Sequence, residues 1–144
     1  MKAKKIVSLA LVLMLVGSIG LMGASAAQNI SDTSWGFSFT SSGQTLFTEN
    51  RDKYNKTDVY YNVTSFSGSN GFSYSAKVFA VSNNGTRYDN FGQSINIIGK
   101  GVKYLPNKVN PTHPRACVRG ITGINGSAGG WWSPDNSSGK TTAY

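Results

Sequence analysis

Phe72-Ser73-Tyr74-Ser75-Ala76-Lys77-Val78-Phe79-Ala80-Val81-Ser82-Asn83-Asn84-Gly85 decides the fold class of this chain. Phe72, Tyr74, Ala76, Val78 and Ala80 take every second position, and a period of two puts them on one face of an extended strand. The other face mixes Ser73, Ser75 and Lys77 with Phe79 and Val81. Asn83-Asn84-Gly85 then closes the run, because Asn and Gly accept the positive φ of a tight turn. The stretch predicts a strand over 72–82 that turns back into another at 86–98, where Ile95, Ile97 and Ile98 are expected to be buried.

The same alternation recurs on either side. In Trp35-Gly36-Phe37-Ser38-Phe39-Thr40 the large rings take alternate positions, and Val59, Tyr61 and Val63 alternate with Tyr60, Asn62 and Thr64. Ser67-Gly68-Ser69-Asn70-Gly71 forms a turn, so strands at 58–66, 72–82 and 86–98 make a meander. Gly99-Lys100-Gly101 breaks the chain before Val102 to Leu105. Pro106, Pro111 and Pro114 mark an irregular connection, and Ala116 to Ile121 is expected as the last core strand. Gly123 to Gly130 has the composition of a loop. No stretch carries an apolar stripe of helical period. Six or seven short strands fit an all-β fold, a single small antiparallel sandwich or barrel-like domain.

Residues 1–27 have the layout of a cleavable export signal. Lys2, Lys4 and Lys5 precede an apolar run from Ile6 to Val16 interrupted only by Ser8, and small residues follow at Ala24-Ser25-Ala26-Ala27. No cysteine follows the run, which argues against a lipid anchor. The expected organisation is a signal peptide over 1–27, a β-rich domain over 28–135 and a frayed polar tail over 136–144, in a secreted protein.

The sequence carries a formal net charge of +8, and Cys117 is its one cysteine. An intrachain disulfide is therefore impossible, and a buried thiol is expected. Residues 28–89 balance their acids and bases. Between Asp89 and Asp135 there is no acid, while Lys100, Lys103, Lys108, Arg115 and Arg119 all fall there. That confinement predicts one basic face.

Catalytic chemistry finds little to work with. His113 and Cys117 lie four residues apart, but the flanking prolines oppose the helix that would bring them together. One His and one Cys do not make a zinc site, and Asp52, Asp58 and Asp89 show no calcium-loop spacing. Asp52 and Asp58, beside Arg51, Lys53 and Lys56, fit turn and surface roles. Gly99-Lys100-Gly101 is too short for a phosphate loop. Neither a cofactor nor a metal is expected, and nothing in the chain resembles a nucleic-acid-binding motif.

Three segments carry a resemblance. They are Asp32-Thr33-Ser34-Trp35-Gly36-Phe37-Ser38-Phe39, then Arg51-Asp52-Lys53 through Lys56-Thr57-Asp58-Val59-Tyr60, and the closing Gly130-Trp131-Trp132-Ser133-Pro134-Asp135. With these the chain resembles small exported proteins of Gram-positive bacteria that carry a domain of unknown function. The resemblance implies no assigned activity and no catalytic residues to carry over. Small secreted antimicrobial proteins are similar in size, charge and export alone.

The functional expectation is a non-enzymatic binding module at the cell envelope. Lys100, Lys103, Lys108, Arg115 and Arg119 would meet an anionic envelope polymer or membrane surface. Trp131 and Trp132, adjacent in an extended stretch, point to opposite sides, so one can close the core while the other serves as an anchor. The alternative is a bacteriocin-like antimicrobial effector.

Overall fold

The computed structural model describes residues 28–109 and 113–142, and the leader expected over 1–27 lies outside the described residues. The strands are β1 (Thr33–Phe39), β2 (Thr45–Phe47), β3 (Arg51–Asp52), β4 (Val59–Gly68), β5 (Tyr74–Val81), β6 (Arg87–Tyr88), β7 (Ile95–Ile97), β8 (Gly101–Leu105), β9 (Arg115–Ile121) and β10 (Gly126–Ser133). Sheet I runs β1-β10-β4-β8. Sheet II runs β2-β9-β5-β6, with β3 also on β9 and β7 also on β5. Every strand pairing is antiparallel. The all-β antiparallel domain expected from alternation is what forms.

The inner faces meet as large against small. Sheet I contributes Trp35, Phe37 and Phe39 from β1, Tyr61 from β4 and Trp132 from β10, all buried. Opposite them, sheet II pairs Ala76 with Gly120 and Ala80 with Ala116. A Cβ at Gly120 would stand 2.6 Å from the Phe37 ring. Small residues on one sheet thus make room for the rings of the other, which close packing demands.

β4 changes phase at a bulge. Gly129 pairs with Ser65 and Gly130 with Val63, so Thr64 has no partner in the register. Without the extra residue, strict alternation from Val63 would aim Phe66 at solvent. With it, Phe66 packs 4.8 Å from the Phe72 ring, against the core. A bulge re-aims the side chains beyond it in this way.

Three expectations give way here. The strand predicted over 86–98 is two short strands, β6 and β7, with Gly92 between them. A Cβ at Gly92 would lie 2.2 Å from the Val78 carbonyl oxygen, so the chain crosses β5 too closely to pair continuously with it. Ile97 is fully buried, but Ile98, one residue on and facing the other way, is 73% exposed. Gly123 to Gly130, expected as loop, supplies most of β10, the strand between β1 and β4. Its glycines answer to packing: a Cβ at Gly126 would meet the Phe72 ring at 2.4 Å.

The tail expected to fray from Asn136 is docked as far as Thr142. Asn136 is buried, and its side chain donates to the Asp58 carbonyl at 2.7 Å and the Lys140 carbonyl at 3.0 Å. Thr142 donates its N–H and hydroxyl to the Asp58 carboxylate at 3.1 and 2.6 Å. Asp58 is therefore a buried anchor rather than a surface residue. Lys53 is buried as well, and its ammonium meets the Asp135 carboxylate at 3.0 Å.

At the core centre the Tyr61 and Tyr74 hydroxyls lie 3.1 Å apart. Burial first, and the neighbouring Tyr74 second, push the Tyr61 phenol well above its ordinary value near 10. Burial raises Tyr74 too. The folded state then keeps protons that the unfolded chain releases above about pH 10. The contribution of this pair is complete below that pH and is lost as the pH climbs further. Urea midpoints measured from pH 8 to 11.5 should fall steeply above 10. The fall should be shallower in Tyr61→Phe/Tyr74→Phe, in which both partners of the hydrogen bond become apolar.

Candidate functional site

The outer face of sheet II gathers side chains of one sign over a second apolar cluster. Alternation on β5 turns Lys77, Phe79 and Val81 outward, and on β9 it turns Arg115, Cys117 and Arg119 outward. The register sets Lys77 beside Arg119, Phe79 beside Cys117 and Val81 beside Arg115. β2 adds Phe47 next to Arg119, and β6 adds Arg87 next to Val81. Phe79, Val81 and Cys117 are buried and Phe47 packs against them. What covers them is cationic.

The guanidinium of Arg119 lies 5.2 Å from the centre of the Phe79 ring, and the Lys77 ammonium 5.9 Å from the same ring. Arg87 stacks over Phe47 at 4.3 Å. The long stems shield the apolar cluster while the charged ends stay at the surface. Arg115 is held differently, 3.3 Å from Asp52 and donating to the Asn50 carbonyl at 3.0 Å. Among the described residues, Lys77, Arg87 and Arg119 have no carboxylate within ion-pair distance. The Arg119 Nε is buried without a hydrogen-bond acceptor.

The Cys117 thiol lies beneath this layer, and burial raises its pKa against a smaller opposing pull from Arg87. A buried thiol held protonated is a poor nucleophile. His113 stands elsewhere, 4.4 Å from the Tyr88 ring and 4.9 Å from Phe91. Tyr88 pairs with core-facing Ala80, so His113 belongs to the opposite side of the sheet from Cys117. Among the described residues no three His, Cys, Asp or Glu side chains cluster as metal ligands.

The basic segment does not form the one face expected of it. Lys100 is exposed in the turn before β8. Lys103 lies on β8, half-buried and in register with core-facing Tyr61, and Lys108 is exposed beyond the strand. These three belong to the edge of sheet I, whereas Arg115 and Arg119 lie within sheet II. Adjacent segments of sequence enter different sheets, and that divides the charge. Lys77 and Arg87, not anticipated as site residues, complete the cationic face. The signal was there: Lys77 shares its strand face with Phe79 and Val81, and a lysine in an apolar row marks a stem lying on a ring.

Trp131 and Trp132 do part company. Trp132 is fully buried in the core, with Arg51 5.7 Å over its ring, which removes it from any binding set. Trp131 is 48% exposed on the outer face of sheet I, between Ser34 of β1 and Asn62 of β4. Further along the same face a groove of about 250 Å³ is lined by Asp32, Tyr60, Tyr104, Ser133 and Asn136, among others.

The molecule is thus a small antiparallel β-domain whose two outer faces differ in chemistry, one cationic and one largely hydroxyl and aromatic. It belongs to the family described as protein of unknown function (DUF2712), whose model matches residues 23–136. No curated protein and no solved structure matches the chain.

Proposed function

We propose that this is an exported, non-catalytic binding module that holds an anionic polymer of the cell envelope on the outer face of sheet II. One observation carries the proposal: Lys77 and Arg119 are cross-strand neighbours on a face where neither has a carboxylate partner. Like charges set directly opposite each other destabilise a sheet. An extended anion lying across them removes the repulsion and gains charge-assisted hydrogen bonds. Arg87 extends the positive strip along β6, while Arg115 on β9 is paired with Asp52. A polymer suits this face better than a bilayer, because its apolar residues are covered and leave nothing to insert. No feature of the fold favours the antimicrobial-effector alternative.

Lys77→Glu separates binding from folding. An acid opposite Arg119 should raise the stability of the domain by about 0.2–1 kcal/mol. The same change should weaken retention on isolated cell walls several-fold, and wild-type retention should fall as salt screens the contacts. Opposite movement of the unfolding midpoint and of wall retention is the expected signature. Wall binding that ignores both the substitution and the salt would count against the cationic face, and tighter retention on phosphatidylglycerol vesicles than on walls would redirect it to membranes.

A further inference from the structure

The outer face of sheet I carries a second, independent set of observations. Around Trp131 it is uncharged and rich in hydroxyls: Ser34 and Asn62 flank the ring in register, and Ser38, Ser65 and Ser127 are exposed beyond it. Two residues along from Trp131, Gly129 is buried between Gly36 and Ser65, whose hydroxyl would stand 3.0 Å from a Cβ there, so the open position is Gly36. Gly36 is the telling residue. A Cβ added to it would meet nothing within 4 Å, and its φ is not positive, so neither packing nor backbone conformation calls for glycine. The result is a level shelf beside a half-exposed indole. In the other direction the same face passes into the groove between Asp32, Tyr60, Tyr104 and Asn136. Charge returns only there, as Asp32 and as Lys140, whose ammonium lies 4.7 Å over the Tyr104 ring.

We propose that this shelf and groove bind a neutral glycan strand, with one sugar ring stacked on Trp131. A pyranose offers an apolar C–H face to an aromatic ring and a rim of hydroxyls to polar neighbours. Trp131 supplies the first, and Ser34 and Asn62 supply the second on either side of it. The groove is smaller than the roughly 300–1,000 Å³ of a typical drug-sized pocket, a scale that suits single sugar units. An anionic polymer would meet Asp32 without a facing cation strip. A bilayer would find no row of cations beside the indole, and a protein partner would find Trp131, Val102 and Ile30 as single exposed apolar residues, with Asn62 between the first two, rather than one broad patch.

The test is retention of the purified protein on three neutral matrices at high salt: chitin, amorphous cellulose and an insoluble β-1,3-glucan. Wild-type protein should be held on at least one of them. Trp131→Ala should lower that affinity at least about tenfold, as removal of a central tryptophan does at other interfaces. Gly36→Ile, whose Cβ would enter open space, should do the same, with urea unfolding like that of wild type showing that the fold is intact. Lys77→Glu should bind these matrices normally, which distinguishes this site from the cationic face. Failure to bind any of the three overturns the proposal. So does binding that survives both shelf substitutions, or Trp131-dependent uptake by phosphatidylcholine vesicles in place of glycan.

Discussion

Gly130→Ala is expected to abolish cooperative folding. A Cβ at this position would stand 1.9 Å from the Asn62 carbonyl oxygen and 3.0 Å from the Thr64 amide nitrogen. Both atoms are backbone, on either side of the bulge where β4 slips against β10, so no rotamer change relieves the contact. Relief requires β4 to separate from β10, and β10 is the strand joining β1 to the rest of sheet I. We expect a loss of more than about 4 kcal/mol, against the roughly 5–15 kcal/mol that holds a typical domain together. Gly36→Ala is the control. It also adds one methyl group to an inter-strand glycine of sheet I, but into open space. It should leave stability unchanged or raise it by up to about 1 kcal/mol. Urea unfolding followed by tryptophan fluorescence separates the two, and a Gly130→Ala protein as stable as wild type would show that the bulge is not as tight as described.

The second large effect concerns Lys53 and Asp135, and it is asymmetric. The Lys53 ammonium uses its three protons on the Thr57 carbonyl at 2.6 Å, the Pro134 carbonyl at 2.6 Å and Asp135 at 3.0 Å. Asp135 also accepts the N–H groups of Asn29 at 2.8 Å, Tyr54 at 3.1 Å and Asn55 at 3.4 Å. Removing the lysine leaves a carboxylate still held by three backbone donors. Removing the carboxylate leaves those donors and a buried ammonium without their partner. Asp135→Ala should therefore cost at the upper end of the roughly 3–5 kcal/mol typical of a broken buried pair, and Lys53→Met less. Burial already lowers the Lys53 pKa, against the pull of Asp135. In Asp135→Ala that opposing pull is gone, so the variant should regain stability as the pH rises toward 10, while Lys53→Met should not. Equal losses in the two variants, independent of pH, would contradict this account.

Much of the fold was legible because alternation is a local signal. β1, β4 and β5 were visible in their ring-and-serine patterns, and Asn83-Asn84-Gly85 marked the turn after β5. β10 was missed because Gly126-Ser127-Ala128-Gly129-Gly130 has loop composition, and its glycines are set by contacts with Phe72, Trp35 and Asn62 that only the tertiary structure brings together. Asp58 looked like a surface charge for a similar reason, since its partner Thr142 lies about eighty residues away. The candidate site was half legible. Arg115 and Arg119 do share one face and Trp131 is half-exposed, yet charge counted along the chain could not reveal that β8 and β9 enter different sheets. Nor could it show that Lys77 would lie opposite Arg119.

The position of β10 has a consequence for how the molecule comes into being. The last strand among the described residues is flanked by the first strand and by β4, and Asp135, two residues beyond it, clasps Asn29. Until β10 has been made, β1 has no neighbour in its sheet. Pairings between such distant segments close slowly. For the exported module proposed above, that delay would keep the chain extended while it crosses a membrane.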